Sequence, residues 1–292
     1  MLQRPFKQVD VFTATPYLGN PLAVVLDGTG LGTEQMQQFT NWTNLSEATF
    51  LLPPTEAGAA AGADYRVRIF CPGRELPFAG HPTLGSCHAW LEAGGQPRTP
   101  GRVVQECGVG LVTLRQDGER LAFAAPPLLK SGPLDELDVE RIARGLGVAR
   151  TDIVAHAWCD NGPNWRGVML SSAEKVLALR PDAAILGTLD VGVVGPRAKV
   201  GVVGPHGAGE GIAFEVRAFF PGNNGLAEDP VTGSLNAALA QWLIGANLAP
   251  PRYIAAQGTA LGRAGRVYVE QDGDTIWVGG SSVTCVSGEV RL

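Results

Sequence analysis

No stretch of this 292-residue chain is apolar for long enough to cross a membrane as a helix, which takes about 20 residues. The start, Met-Leu-Gln-Arg-Pro-Phe-Lys-Gln, lacks the apolar segment of a secretory signal, so a cytoplasmic protein is expected. Cysteine is scarce and odd in number. Cys71, Cys87, Cys107, Cys159 and Cys285 form no Cys-x-x-Cys pair and read as reduced thiols rather than a disulfide framework. Basic residues are outnumbered by acidic ones, 23 to 28, and the net charge is −5, which excludes the clustered Lys and Arg of a nucleic-acid face. His88, His156 and His206 have no ligand-like spacing, and His156-x-x-Cys159 stands alone, so no metal site is expected. No low-complexity tail or charge block suggests a regulatory partner. What the chain does have is 45% hydrophobic residues, enough for two cores, and a length that suggests about two domains.

The most informative feature is an internal duplication. Residues 66–86 and 215–234 both run Val-Arg-x-Phe-x-Pro-Gly and, after six or seven variable positions, a polar residue followed by Pro-x-x-Gly-Ser. That polar residue is His81 in one copy and Asp229 in the other. Gly110-x-Val-x-Leu-x-Gln-Asp-Gly118 recurs as Gly265-x-Val-x-Val-x-Gln-Asp-Gly273, and Asn20-x-x-Ala-Val-Val-Leu as Asn164-x-x-Gly-Val-Met-Leu. Three matches in one order, with offsets drifting from 144 to 155 residues, indicate two related domains. Residues 125–133, Ala-Pro-Pro-Leu-Leu-Lys-Ser-Gly-Pro, make the best linker and divide the chain into 1–127 and 128–292, with the last strand able to pack back on the first domain.

Alternation predicts strands over 8–13, 22–26, 65–70, 102–105, 111–115 and 121–124, and a short buried strand over 48–52. Thr33 can cap a helix to about Asn44 with Met36, Phe39 and Trp42 on its apolar face. A helix after the linker is predicted from Leu134, Leu137, Val139, Ile142 and Leu146. Helices are also predicted over 82–91 and 230–244, the second apolar nearly all round and therefore buried. Strands around one central helix, twice over, is the expected architecture.

Pro82 and Pro230 suit the first turn of a helix. Helix starts present unpaired N–H groups and partial positive charge, so two of them related by pseudo-symmetry would make a carboxylate-holding cleft with His81 and Asp229 at its rim. Asp229 could equally be a plain helix cap, and Ser234 could donate within its own turn. Glu47 taken alone reads as a solvated residue after a helix.

Several motifs carry a family resemblance. Val9-Asp-Val-Phe-Thr13, Gly19-Asn-Pro-Leu-Ala-Val-Val25, Leu45-Ser-Glu-Ala-Thr-Phe50, Glu75-Leu-Pro-Phe-Ala-Gly-His-Pro-Thr-Leu-Gly85 and Glu228-Asp-Pro-Val-Thr-Gly-Ser234 resemble the phenazine-biosynthesis PhzF-like isomerases in order and over nearly the whole chain. The resemblance implies an α+β fold of the diaminopimelate-epimerase type: two pseudo-symmetric domains, each a strand barrel around a central helix, with the active site in the cleft between them. It implies a cofactor-independent isomerase moving a proton between carbons of a small carboxylate, as the family does with trans-2,3-dihydro-3-hydroxyanthranilate. Glu47 would be the general acid/base, His81 and Asp229 catalytic partners, and Asn20, Gly80, Gly233 and Ser234 substrate contacts. No cofactor or metal is implied, and a homodimer is. Pro82 stands where the family often has Ala, and Arg74 where many members carry Thr or Glu.

The chemistry is coherent, because a carboxylate that takes a proton from carbon needs a dry site that strengthens its hold on protons. An amino-acid racemase or epimerase on the same fold is the alternative. Cys107-Gly-Val-Gly110 superficially resembles its first thiol motif, but a strand follows where a helix should start, no second Cys-Gly exists, and the helix starts carry His81 and Asp229. Cys107 reads instead as a small buried residue. A non-catalytic ligand-binding relative would have no need of Glu47 in an apolar setting.

Overall fold

The computed structural model describes residues 1–197, 211–222 and 225–292. His206 and the Asn223-Asn224 pair of the second repeat copy lie outside the described residues. The chain divides into two compact units. One comprises Met1–Ala124 with Gly279–Leu292, the other Ala125–Val278. Both are α+β, with many strands and few helices.

The first unit contains β1 (Gln3–Val11), β2 (Asn20–Val25), α1 (Thr33–Thr43), β3 (Ala48–Leu52), α2 (Glu56–Ala60), β4 (Tyr65–Cys71), β5 (Arg74–Leu76), α3 (Gly80–Glu92), β6 (Arg102–Cys107), β7 (Gly110–Asp117) and β8 (Arg120–Ala124). The second contains α4 (Glu136–Leu146), β9 (Ile153–Asp160), β10 (Asn164–Leu170), α5 (Ala173–Ala178), α6 (Ala183–Leu186), β11 (Val191–Pro196), β12 (Ile212–Gly222), β13 (Gly225–Asp229), α7 (Gly233–Gly245), β14 (Arg252–Gln257) and β15 (Gly265–Asp272), and β16 (Thr275–Gly280) closes it. The chain then returns to the first unit as β17 (Ser282–Arg291), antiparallel to β1.

The pairings of the two units match. β1–β2 and β9–β10 are antiparallel, β2–β3 and β10–β11 parallel, β3–β4 and β11–β12 antiparallel. β4 then pairs antiparallel with the short β5 and parallel with β6, as β12 does with β13 and β14. The linker takes part in this scheme. Lys130 bridges Asp160 of β9, the place that β17 holds beside β1.

In each unit one long helix is nearly all core. α3 buries Gly80 through Cys87 and packs on β1, β2, β3, β6, β8 and β17. α7 buries Gly233, Leu235 through Ala240 and Leu243, and packs on β9 and β15. Small residues make this possible. A Cβ on Gly85 would lie 2.7 Å from Leu22 Cδ2 and 2.8 Å from Val11 Cγ2, and one on Gly192 would lie 2.3 Å from Leu235 Cδ1.

Some expectations shift. Helix α1 is capped by Gly32, whose N–H donates to Gln35 Oε1, and Thr33 is its first residue. Trp42 is 79% exposed rather than on the apolar face, because Met36, Phe39 and Thr40 already fill the contact with the strands. Leu137 is likewise exposed, while Val139, Ile142, Ala143 and Leu146 carry the core face of α4. α3 begins at Gly80, two residues early, and α7 at Gly233, three residues late, so Pro230 precedes the helix instead of opening it.

Candidate active site

In the first unit four segments converge on the start of α3. Gly19 packs so closely on β1 that a Cβ there would sit 2.2 Å from the Val11 carbonyl oxygen, and its N–H donates to the buried Asp10 carboxylate. This places Asn20, which is fully buried, and Pro21 at the head of β2. The Pro21 carbonyl accepts a hydrogen bond from the His81 ring. His81 is the second residue of α3 and its side chain is 5% exposed. Its Nε2 has no hydrogen-bond partner among the described residues, so Nδ1 is the donor to Pro21. Nε2 faces Glu47 Oε2 at 3.6 Å. Burial lowers the His81 pKa to about 3, against the raising effect of the Pro21 bond, so the ring is neutral near pH 7.

Glu47 immediately precedes β3, with a side chain only 16% exposed, not the solvated residue its sequence position suggests. Across β3 and β4 the register pairs Ala48 with Phe70, which brings Cys71 beside Glu47. Burial raises the Cys71 thiol pKa, and the Glu47 charge adds to it.

In the second unit the corresponding turn is organised by a glutamine that sequence reasoning passed over. Gln257, fully buried at the end of β14, donates to the Asp229 carbonyl at 3.1 Å and to Thr232 Oγ1 at 2.8 Å. Its Oε1 accepts from the Thr232 N–H at 3.1 Å and from Asn236 Nδ2 at 2.8 Å. Thr232 Oγ1 donates to Asp229 Oδ2 at 2.7 Å. Asp229 is therefore not the cap of α7, whose capping position is Thr232. Ser234 does not close its own turn with its hydroxyl. Trp165 Nε1 donates to Ser234 Oγ at 3.2 Å, and Asn161 Nδ2 to the Ser234 carbonyl at 2.9 Å. Gly233 opens the helix and is buried.

The strand register corrects the repeat alignment. Arg68 and Arg217 hold equivalent places. Ile69 and Phe70 pair with Leu76 and Glu75, and Ala218 and Phe219 pair with Asp229 and Glu228. Each arginine forms a two-pronged ion pair with the glutamate of its hairpin: Arg68 with Glu75 at 2.7 and 2.6 Å, Arg217 with Glu228 at 2.8 and 2.7 Å. Asp229 thus matches Leu76, Pro230 matches Pro77, and Gly233-Ser234 match Gly80-His81. The two Pro-x-x-Gly-Ser strings do not superpose, because Gly85 and Ser86 lie in the second turn of α3 whereas Gly233 and Ser234 open α7. A second device recurs. The glycine after the sixth or fourteenth strand presses on the turn proline, with a Cβ on Gly108 lying 2.6 Å from Pro77 Cα and one on Gly258 lying 2.6 Å from the Pro230 carbonyl oxygen. On the register that equates Arg68 with Arg217, the β3–β4 and β11–β12 pairings match Ala48 with Val191, so that an acidic residue immediately precedes each strand, Glu47 in one unit and Asp190 in the other.

Cys107 is half-buried at the end of β6, and burial raises its thiol pKa, opposite to what a thiol base requires. Among the described residues no helix is long and apolar enough to cross a membrane.

The first unit thus places a buried carboxyl–imidazole pair at one helix start of a duplicated α+β frame. The sequence profile described as "Phenazine biosynthesis-like protein" matches residues 9–288, and the chain belongs to that family. It is 32% identical to the trans-2,3-dihydro-3-hydroxyanthranilate isomerase of Pseudomonas aeruginosa, over 97% of this chain and 98% of that protein. It is 35% identical to "Antisense-enhancing sequence 1" of Schizosaccharomyces pombe, over 99% of each. The solved structure of a phenazine biosynthesis protein of the PhzF family from Enterococcus faecalis covers all of both chains with a TM-score of 0.78 at 24% identity, a likeness of fold. With relatives so named, the protein is an isomerase.

Proposed function

We propose that the protein moves a proton between two carbons of a small carboxylate substrate, without a cofactor, using Glu47 as the general acid/base. The observation that supports this most is the Glu47–His81 pair, 3.6 Å apart and almost fully buried. With Nδ1 committed to Pro21, His81 Nε2 carries a lone pair toward the carboxyl. A neutral His81 sets a lone pair rather than an imidazolium in front of Glu47 Oε2, a setting in which the carboxyl can carry a proton. One carboxyl can take a proton from one carbon and deliver it to another on the same face of the substrate. Asp229 and Ser234 would contact the substrate's polar groups, Asn20 would help fix it, and the helix-start amides at Gly80 and Gly233 would receive its carboxylate. Closure of each unit's strands into a barrel around α3 or α7 belongs to the same proposal, as does a homodimer.

The test is proton exchange in heavy water, followed by NMR. The protein and its Glu47→Gln variant are incubated with a panel of small carboxylates that includes trans-2,3-dihydro-3-hydroxyanthranilate and several amino acids. Deuterium uptake or isomer formation should appear with the native protein and fall at least about 100-fold in the variant, within the range that positioned acid/base groups supply. Activity surviving Glu47→Gln would remove Glu47 as the base.

A further inference from the structure

The Gln257 network extends past simple bracing of a turn. A primary amide has two N–H donors and two acceptor lone pairs, and Gln257 uses all four: Asp229 O at 3.1 Å, Thr232 Oγ1 at 2.8 Å, the Thr232 N–H at 3.1 Å and Asn236 Nδ2 at 2.8 Å. The orientation of the amide is forced. A backbone N–H can only donate, so the atom facing Thr232 N must be Oε1. A backbone carbonyl can only accept, so the atom facing Asp229 O must be Nε2. Thr232 Oγ1 receives a proton from Gln257, and its own proton is thereby directed to Asp229 Oδ2 at 2.7 Å. The chain of donors runs one way, from buried Gln257 through Thr232 to the carboxylate. The same amide ties down the backbone at both ends of the 229–232 turn.

The first unit shows what is particular about this arrangement. There the fourth residue of α3, Thr83, meets Gln105, as the fourth residue of α7, Asn236, meets Gln257. By strand register, however, Gln105 corresponds to Ala255, and Gln257 to Cys107. Gln257 sits two residues further along its strand, which lets it reach the turn as well as the helix.

We propose that Gln257 is a positioning residue for the isomerisation, aiming the Thr232 hydroxyl at Asp229 so that the carboxylate is held in one place as an acceptor. This rests on the reading above that Asp229 contacts the substrate. The neighbouring charged pair, Glu228 with Arg217, does not compete, because successive residues of β13 point to opposite faces.

The test uses Thr232→Val, Thr232→Ser and Gln257→Glu in the full chain. The readouts are the titration of the Asp229 carboxyl carbon by 13C NMR, assigned with Asp229→Asn, and the deuterium-exchange kinetics. Thr232→Val should raise the Asp229 midpoint by about one pH unit, a tenfold change in its proton affinity. It should lower kcat about tenfold with a smaller change in KM, while Thr232→Ser should restore both. Gln257→Glu cannot donate to Thr232 and should act like Thr232→Val. If it fails to fold, Thr232→Val alone still decides. An unmoved Asp229 midpoint in Thr232→Val overturns the directed chain. A moved midpoint with unchanged kcat overturns the positioning role. Failure of the functional reading shows separately, as activity indifferent to Glu47→Gln, and the titration then still decides whether Thr232 and Gln257 hold Asp229.

Discussion

His81 offers a direct test of the buried pair, because its neutrality is a stability term. Burial lowers its pKa from 6.5 to about 3 in the folded chain. A depressed folded pKa means that the unfolded chain binds the proton more readily. The contribution is therefore fully present above the unfolded pKa and is lost as pH falls from about 6.5 toward about 3. In that window stability declines by about 1.4 kcal/mol per pH unit for this one group. Between about pH 7.5 and about pH 5 the loss works out to about 2 kcal/mol. His81→Asn keeps an amide N–H in the place of Nδ1, so the bond to Pro21 is retained and the titration is removed. Urea unfolding of both proteins at the two pH values isolates the effect, since His88 and His156 are common to both and cancel. The native protein should lose about 2 kcal/mol more than His81→Asn on acidification. Parallel pH profiles would refute the reasoning. They would mean that His81 protonates in the folded chain as readily as in the unfolded one, with the Glu47 carboxylate 3.6 Å away stabilising an imidazolium.

Two further perturbations probe the scaffold that positions the site. Gly19→Ala drives a Cβ to within 2.2 Å of the Val11 carbonyl oxygen, a backbone atom that cannot swing away, and should cost about 3 kcal/mol in thermal or urea unfolding; a cost below about 1 kcal/mol would show that β2 can shift at no loss. Arg217→Met leaves Glu228 buried without its partner and strips the Val176 and Leu179 carbonyls of their donor, for an expected loss of about 3–5 kcal/mol. Adding Glu228→Leu should recover part of it, and a double variant no more stable than the single one would show that an uncompensated charge is not the cause.

Much of this protein is set by local pattern and is legible along the chain. The duplication, the alternating strands, the apolar helix of the second half and the motifs around Glu47, His81 and Asp229 all lie in contiguous residues. The pairing of Glu47 with His81, the Pro21 carbonyl that selects the His81 tautomer, and the Gln257 network were decided only by tertiary structure. Residues 21, 47 and 81 come from three segments that hydrogen-bond register and helix packing bring to one point, and no spacing rule links them. The repeat itself makes the same distinction. Pro-x-x-Gly-Ser occurs twice in sequence, yet the β4–β5 and β12–β13 registers match His81 with Ser234 and leave Asp229 opposite Leu76. Short motifs slide freely along a sequence alignment, whereas a ladder of backbone hydrogen bonds admits one register, because a slip of one residue would turn every side chain to the wrong face.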